Sequence, residues 1–313
     1  MPPHSDRRAL SFAVLTMVTW ATAGVFVRLL MARLTGAAPF QAFAIMGGRL
    51  SLALLLLSVL LAIFQRQQLR SEVLPALRRR ETWIAGGSQF AYYLLAVCAF
   101  TFAPIGVIAL CASTAPLWVL LIRVLRGGRI AGAELAGATV ALAGVGVIVL
   151  PGLLRPVAND PFPHTVWGMG LSLASACVTA LYALFQRQQT ARNTPTDPRA
   201  LSLVTFALGV PLLYFFRPVP ASELMSGQTV ALFAGFAAFA TVLPNLAFAW
   251  ASRRLPPVST ATVALLLPVF ATTFAAIVLR ETPPWTLLPG GVLVMLGLWL
   301  ILRPPRPVLQ GDS

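Results

Sequence analysis

The sequence predicts an all-α integral membrane protein, with ten transmembrane helices forming two inverted five-helix repeats around a central cavity. Three observations predict it. Mean hydropathy over the 313 residues is +0.82, with 58% hydrophobic and only 10% charged residues. A soluble globular chain has about a quarter of its residues charged. Ten apolar segments recur along the chain, most of them near the ~20 residues that span a bilayer as a helix. Finally, a stretch of the first half returns in the second at a constant offset of 152 residues.

The ten segments are Ala9–Leu30, Phe40–Phe64, Trp83–Phe102, Gly106–Leu125, Ile130–Leu150, Val166–Phe185, Ala200–Phe216, Thr229–Trp250, Val258–Leu279 and Trp285–Leu302. The seventh and tenth are the shortest. Residues 1–8 and 304–313 read as short tails. Arg7 and Arg8 before an apolar run, with Ala21-Thr-Ala23 within it, mimic a signal peptide. Cleavage there would remove one helix of a matched set, so the segment is kept as a span. The proline-rich stretch 151–165 divides the chain into a first repeat, 1–150, and a second repeat with its C-terminal tail, 166–313.

The recurring stretch carries the repeat. Gln89 to Pro116 superposes on Thr241 to Pro268 without a gap, placing Ala99 on Ala251, Pro104 on Pro256, Ala112 on Ala264 and Pro116 on Pro268. Ala21 to Arg28 likewise resembles Ala180 to Arg187. Five helices are an odd number, so the second half enters the membrane from the opposite side. Similar halves in opposite orientation are the plan of secondary transporters, with the site near the midplane between them. Glycines 137, 144 and 146 in the fifth segment resemble 290, 291 and 297 in the tenth, a spacing that suits close helix packing.

Arginine placement sets the orientation. No lysine occurs, so the formal net charge of +14 comes from arginine alone. With the N-terminus inside, 17 arginines fall on cytoplasmic segments and 5 outside, with Arg49 within a span. Both termini are then cytoplasmic. This also explains the high pI without nucleic acid, because the arginines flank apolar runs as topology determinants. Cys98, Cys111 and Cys177 lie inside apolar segments and read as small buried hydrophobes, with no metal spacing. His4 and His164 fall outside the segments. No metal, cofactor or ATP-binding loop is expected. No segment holds a mid-membrane Asp, Glu or His, so no proton relay is evident and movement down the substrate's own gradient is the simplest mechanism.

Several residues stand out against this background. Arg49 lies roughly ten residues into the second segment, ~15 Å deep at the helical rise. Its partner is a backbone carbonyl, water, a polar side chain or a substrate carboxylate. The competing reading is a structural arginine that caps carbonyls or snorkels outward. The 152-residue offset also pairs Gln89 with Thr241 and Tyr93 with Asn245. Each half thus carries two polar side chains at i and i+4 on one helical face. These faces line a cavity or merely hold the bundle together. Trp20 and Tyr182 sit mid-span in repeat-related helices and supply flat walls or a cation–π contact. Trp118 and Trp250 read as interfacial anchors. Pro116, Pro244 and Pro268 interrupt helical hydrogen bonding as hinges or as harmless kinks. Glu134, in the first turn of the fifth segment, favours the helix dipole and reads as structural.

These residues resemble the EamA-type transporters of the drug/metabolite transporter superfamily over nearly the whole chain. The resemblance rests on Trp20, Arg49, Pro116 within Ala112-Ser-Thr-Ala-Pro-Leu, Ala180-Leu-Tyr182, and Pro268. Arg280-Glu281-Thr before the last segment is similar to the family's helix-closing turn, whereas Arg126-Gly-Gly-Arg129 lacks the glutamate. Trp20-Ala-Thr22 with Pro244-Asn245 leans towards the bacterial aromatic amino-acid exporter group. The resemblance implies helices 1–4 and 6–9 around a cavity with 5 and 10 outside, alternating access by rocking of the halves, and export of amino acids from the bacterial cytoplasm across the inner membrane. The partners it implies are a small-molecule substrate and the lipid bilayer. Arg49 or helix-terminal N–H groups would meet the carboxylate, and Tyr93, Asn245 and aromatic faces the ammonium. Without a fixed carboxylate in the site, broad selectivity is expected. Drugs, nucleosides or sugars remain the alternative cargo. An intramembrane enzyme or a structural scaffold are the other classes. The oligomeric state stays open, a monomer being compatible with the pattern.

Overall fold

A computed structural model of the protein describes residues 4–128, 130–154, 164–216, 219–252, 254–255 and 263–302. Residues 155–163 of the midpoint stretch, 258–262 of the ninth segment, the tail 304–313 and Arg129, Arg155, Arg217, Arg253, Arg303 and Arg306 lie outside the described residues.

Every regular element among the described residues is helical. The main helices are α1 His4–Ala21, α2 Ala23–Met31, α3 Ala38–Phe64, α4 Arg80–Phe102, α5 Ile105–Ala112, α6 Ala115–Leu125, α7 Gly132–Leu154, α8 Thr165–Ala191, α9 Pro198–Ala207, α10 Gly227–Ala237, α11 Leu243–Ser252, α12 Leu267–Val278 and α13 Leu287–Leu302. Counting through short breaks, seven stretches are long and apolar enough to cross a membrane: Arg7–Met31, Pro39–Phe64, Arg80–Phe102, Ile105–Leu125, Thr165–Ala191, Pro198–Phe215 and Gly227–Ala251. Gly132–Ile148, Leu267–Val278 and Leu287–Ile301 are shorter apolar helices. The protein is therefore a multi-pass membrane protein, all-helical among the described residues. Large apolar side chains such as Ile63, Phe64, Trp167, Ile277 and Leu288 face outward, as a lipid-bathed surface requires.

The breaks follow from local chemistry. Pro116 and Pro268 each occupy the second position of a helix, α6 and α12, where a missing N–H costs nothing. Each is preceded by a turn, at Ser113–Thr114 and Leu265–Leu266. The first span breaks at Thr22, whose hydroxyl donates to the Thr19 carbonyl at 2.6 Å and competes with the backbone ladder. Several boundaries differ from the sequence reading. The sixth helix runs to Ala191 rather than Phe185, and stops where Asn193 takes a φ of 56°. The Thr194 N–H then returns to the Gln189 carbonyl at 3.0 Å, a left-handed C-terminal closure. The seventh is α-helical only to Ala207 and continues as a 3-10 turn, Val210–Phe216, because Gly209 and Pro211 cannot extend the ladder. The tenth starts at Leu287, after Pro283 and Pro284.

Two contacts are backbone-close. A Cβ on Gly47 of α3 would lie 2.8 Å from the Leu212 carbonyl carbon, so α3 seats directly on the 3-10 turn. A Cβ on Gly137 or Gly144 of α7 would lie 2.6 Å from the Gly297 or Gly290 carbonyl of α13. The glycine-spaced fifth and tenth helices thus pack on one another at the closest approach that residues without side chains allow. The main core joins α2, α3, α9 and α10 through Leu30, Ile45, Leu50, Phe206 and Phe236, with Tyr93 of α4.

Candidate functional site

Pro244 organises the centre. A proline has no N–H to offer the carbonyl four residues earlier, and its ring pushes that carbonyl aside. The carbonyl is that of Ala240. The helix opens into a π turn over Ala238–Val242, and the buried Thr241 hydroxyl donates to the Phe236 carbonyl at 3.0 Å. Arg49 of α3 closes on this opening. Its Nε donates to Thr241 Oγ1 at 2.6 Å, and one terminal nitrogen donates to the Ala240 carbonyl at 3.3 Å. Its guanidinium carbon lies 4.6 Å from the Tyr93 ring centre and 4.3 Å from that of Phe236. Arg49 is only 3% exposed, and among the described residues no carboxylate pairs with it.

A second chain of bonds crosses the same seam. Gln89 Nε2 donates to the Tyr93 hydroxyl at 3.1 Å, and that hydroxyl donates to Asn245 Oδ1 at 3.0 Å. Gln89 and Tyr93 belong to α4, one turn apart, while Asn245 belongs to α11. The Asn245 amide nitrogen is buried and has no hydrogen-bond partner among the described residues. The Trp20 indole nitrogen is likewise buried and unpartnered among the described residues. Its ring lies 5.2 Å from Phe248, one turn along α11 from Asn245. A buried donor without an acceptor costs about 1–3 kcal/mol.

The structure thus gathers Arg49, Gln89, Tyr93, Thr241 and Asn245 into one connected cluster, with Trp20 beside it through Phe248. Tyr182 stands on α8, its hydroxyl accepting from Gln186 Nε2 at 3.1 Å. Pro116 and Pro268 lie apart from the cluster. Pro268 borders an apolar groove with Gly106, Leu110, Thr272 and Leu287. Sequence reasoning missed Phe236, Phe248 and the Ala240 carbonyl. The last was legible, since Pro244 names it by counting back four residues.

A cavity of about 770 Å³ opens at the ends of α3, α9 and α11, and none of the cluster residues lines it. Its walls include Gln65, Gln68, Arg199, Leu246, Trp250 and Arg254. Arg199 braces the wall. It bonds Asp197 at 2.7 Å, Gln65 at 3.1 Å and Gln68 at 3.2 Å, and also pairs with Glu72. Asp197 caps α9 by accepting from the Arg199 and Ala200 N–H groups. Burial pushes the Asp197 carboxyl up, but the Arg199 guanidinium and these N–H groups outweigh it and hold it below its ordinary value. Trp250 meets Phe12 at 4.8 Å, and Arg254 lies 4.0 Å over its ring. Glu134 pairs with Arg123 and accepts the Ala131 N–H at 2.9 Å, a role that stays at the helix end.

Comparison with known proteins follows the same lines. Residues 166–303 match the model of the EamA-like transporter family. The chain is 27% identical to a probable terminal-alkyne amino-acid exporter of Streptantibioticus cattleyicolor, covering 95% of this chain and 94% of that protein. It is 29% identical to an uncharacterized protein of Pseudomonas aeruginosa, covering 96% of each. A solved crystal structure with 21% identity superposes with a TM-score of 0.58, covering 94% of this chain and 97% of that one. That likeness shows the fold.

Proposed function

We propose that this chain, whose residues 166–303 form an EamA-family transporter domain, is a bacterial inner-membrane secondary transporter that exports amino acids by alternating access. In this reading ten spans form two inverted five-helix repeats, both termini are cytoplasmic, and one chain supplies the whole site. The observation that carries it is Arg49, a buried guanidinium without a carboxylate partner among the described residues. A buried charge lacking its counter-charge is costly. An amino acid brings the missing carboxylate with it.

The roles divide by chemistry. Arg49 is held by Thr241 and the Ala240 carbonyl, so it provides a fixed positive field at the seam. The unpartnered Asn245 and Trp20 N–H groups receive carboxylate oxygens. The Tyr93 hydroxyl, set by Gln89, and the faces of Trp20 and Tyr182 receive the ammonium end. No fixed acid selects the side chain, which makes selectivity broad. The probable terminal-alkyne amino-acid exporter of Streptantibioticus cattleyicolor, 27% identical over nearly its whole length, supports amino acids over drugs, nucleosides or sugars.

The decisive experiment is counterflow in proteoliposomes preloaded with mixed amino acids, following each labelled one with and without a pH gradient. Uptake without a gradient is expected, as for a facilitative carrier. No uptake under any gradient sinks the amino-acid reading and points to the other cargo classes.

A further inference from the structure

A short linker, residues 66–79, joins α3 to α4. It is helical over Arg66–Gln68, widens to a π turn over Leu69–Val73, and returns to α-helix over Leu74–Leu77. Pro75 has no N–H for the Ser71 carbonyl, which accounts for the wider turn. One face of the linker packs inward. Val73 and Ala76 are buried with Ala200 of α9, and Leu69, Leu77 and Leu203 pack against them. Positions 69, 73, 76 and 77 are the spacing of a single helical stripe. On the same side Gln65, Gln68 and Glu72 hold Arg199 and line the 770 Å³ cavity.

The rest of the linker surface is basic. Arg66, Arg70, Arg78, Arg79 and Arg80 are exposed, and none forms an ion pair among the described residues. The acid within the linker, Glu72, is taken by Arg199. The next acid, Glu81, sits in the first turn of α4, where the helix dipole favours it. Arg66 and Arg70 are one turn apart and, with Gln67 and Ser71, line a shallow hollow of about 740 Å³. Like charges at that spacing repel, so an anion between them is favourable.

The position of the linker selects the anion. The stretches on either side, Pro39–Phe64 and Arg80–Phe102, are each long and apolar enough to cross a membrane. The linker itself reaches at most ~20 Å as a helix, so it stays close to the bilayer. Ile63 and Phe64 before it, Leu74 within it and Trp83 after it are exposed apolar side chains. The Trp83 indole N–H donates to the Leu77 carbonyl at 2.8 Å, which ties that ring to the linker. Arginines interleaved with exposed apolar and indole side chains belong at the headgroup level of a bilayer, not on a surface for nucleic acid. Anionic bilayer surfaces attract basic segments next to spans, and a guanidinium fork matches a phosphate.

We propose that this linker is a binding site for an anionic phospholipid, whose phosphate lies between Arg66 and Arg70 while its acyl chains stay in the bilayer. The bound lipid steadies the edge of the cavity, because the other face of the linker holds Arg199.

Lipid binding tests this without any transport. The purified full chain in detergent is titrated with phosphatidylglycerol or with phosphatidylcholine of the same acyl chains, and bound lipid is counted by native mass spectrometry. Phosphatidylglycerol is expected to bind about tenfold more tightly, the effect of two arginines at an anionic headgroup. That preference should shrink as salt rises. Arg66→Gln with Arg70→Gln should abolish the preference and leave phosphatidylcholine binding unchanged. Arg66→Lys with Arg70→Lys keeps the charge without the fork and should retain part of it. The lysine variant and the salt series on the native protein decide the matter if the glutamine variant fails to insert. Arg187→Gln with Arg192→Gln, both exposed at the end of α8, should change nothing. Equal binding of the two lipids overturns the proposal, as does an equal loss in the Arg187 and Arg192 variant. Displacement of the lipid by an equal concentration of inorganic phosphate also overturns it, by making the hollow a site for soluble anions. None of these readouts depends on the cargo.

Discussion

Thr241 and Asn245 lie one turn apart, yet each has a different task. Thr241 holds Arg49 and Asn245 ends the chain from Gln89 through Tyr93. Losing either hydrogen bond therefore has a different signature. Asn245→Leu or Gln89→Leu removes a polar group from the seam and should cut counterflow about tenfold, the effect of one lost bond of ~1.4 kcal/mol. Elution as a single folded species in detergent is expected to persist; failure to assemble would assign these residues to packing. Thr241→Val strands the Arg49 Nε donor and should lower stability by about 1–3 kcal/mol, read by thermal unfolding. Asp197 makes a pH prediction. Its carboxyl is lowered in the folded protein, so its contribution is complete above the unfolded value near ~4 and is lost as pH falls through the folded value. Asp197→Ala should cost about 1 kcal/mol at neutral pH as a lost helix cap. The acid-side slope of melting temperature against pH should flatten in that variant. An unchanged slope would remove Asp197 from the account.

At the scale of elements, prolines decide where helices open. Pro244→Ala supplies an N–H for the Ala240 carbonyl and lets the π turn relax to regular helix. That displaces Arg49 from a carbonyl it now holds. Thermal stability should stay level or rise, while transport falls about tenfold or more, because small misplacements of binding groups are costly. A variant with normal transport would show that the π turn is incidental. The α7–α13 pair makes the opposite prediction. Gly297→Leu forces a side chain into the Gly137 backbone and should cost about 1–3 kcal/mol, leaving substrate affinity in the surviving protein unchanged. Much of this was legible in advance. Pro116 and Pro268 announce breaks by their identity, and the recurring glycines announce close packing by their spacing. The extent of α8 was not legible, since Gln186 and Gln189 look like loop residues until Tyr182, Thr194 and Thr196 bond them.

For the whole molecule, charge and hydropathy set the gross arrangement. If ten spans cross with the N-terminus inside, as proposed, arginines lie 17 to 5 in favour of the cytoplasmic side, so reporter fusions at either terminus should be active only in the cytoplasm. A periplasmic reporter active at one end would break the even count of spans.

The linear chain was enough to establish that this protein crosses the membrane repeatedly and where polar side chains recur on its helices. Those properties depend on transfer of side chains from water to lipid and on the helical period, both of which are local. It also brought Gln89, Tyr93, Thr241 and Asn245 forward, because a repeated offset is visible in one dimension. What Arg49 bonds, and which side chains pair across the two halves, were decided by the tertiary structure. Each depends on groups 75 to 253 residues apart meeting at hydrogen-bond distance, and hydrogen bonds reach only ~3 Å. No spacing along a chain encodes so short a distance between segments so far apart.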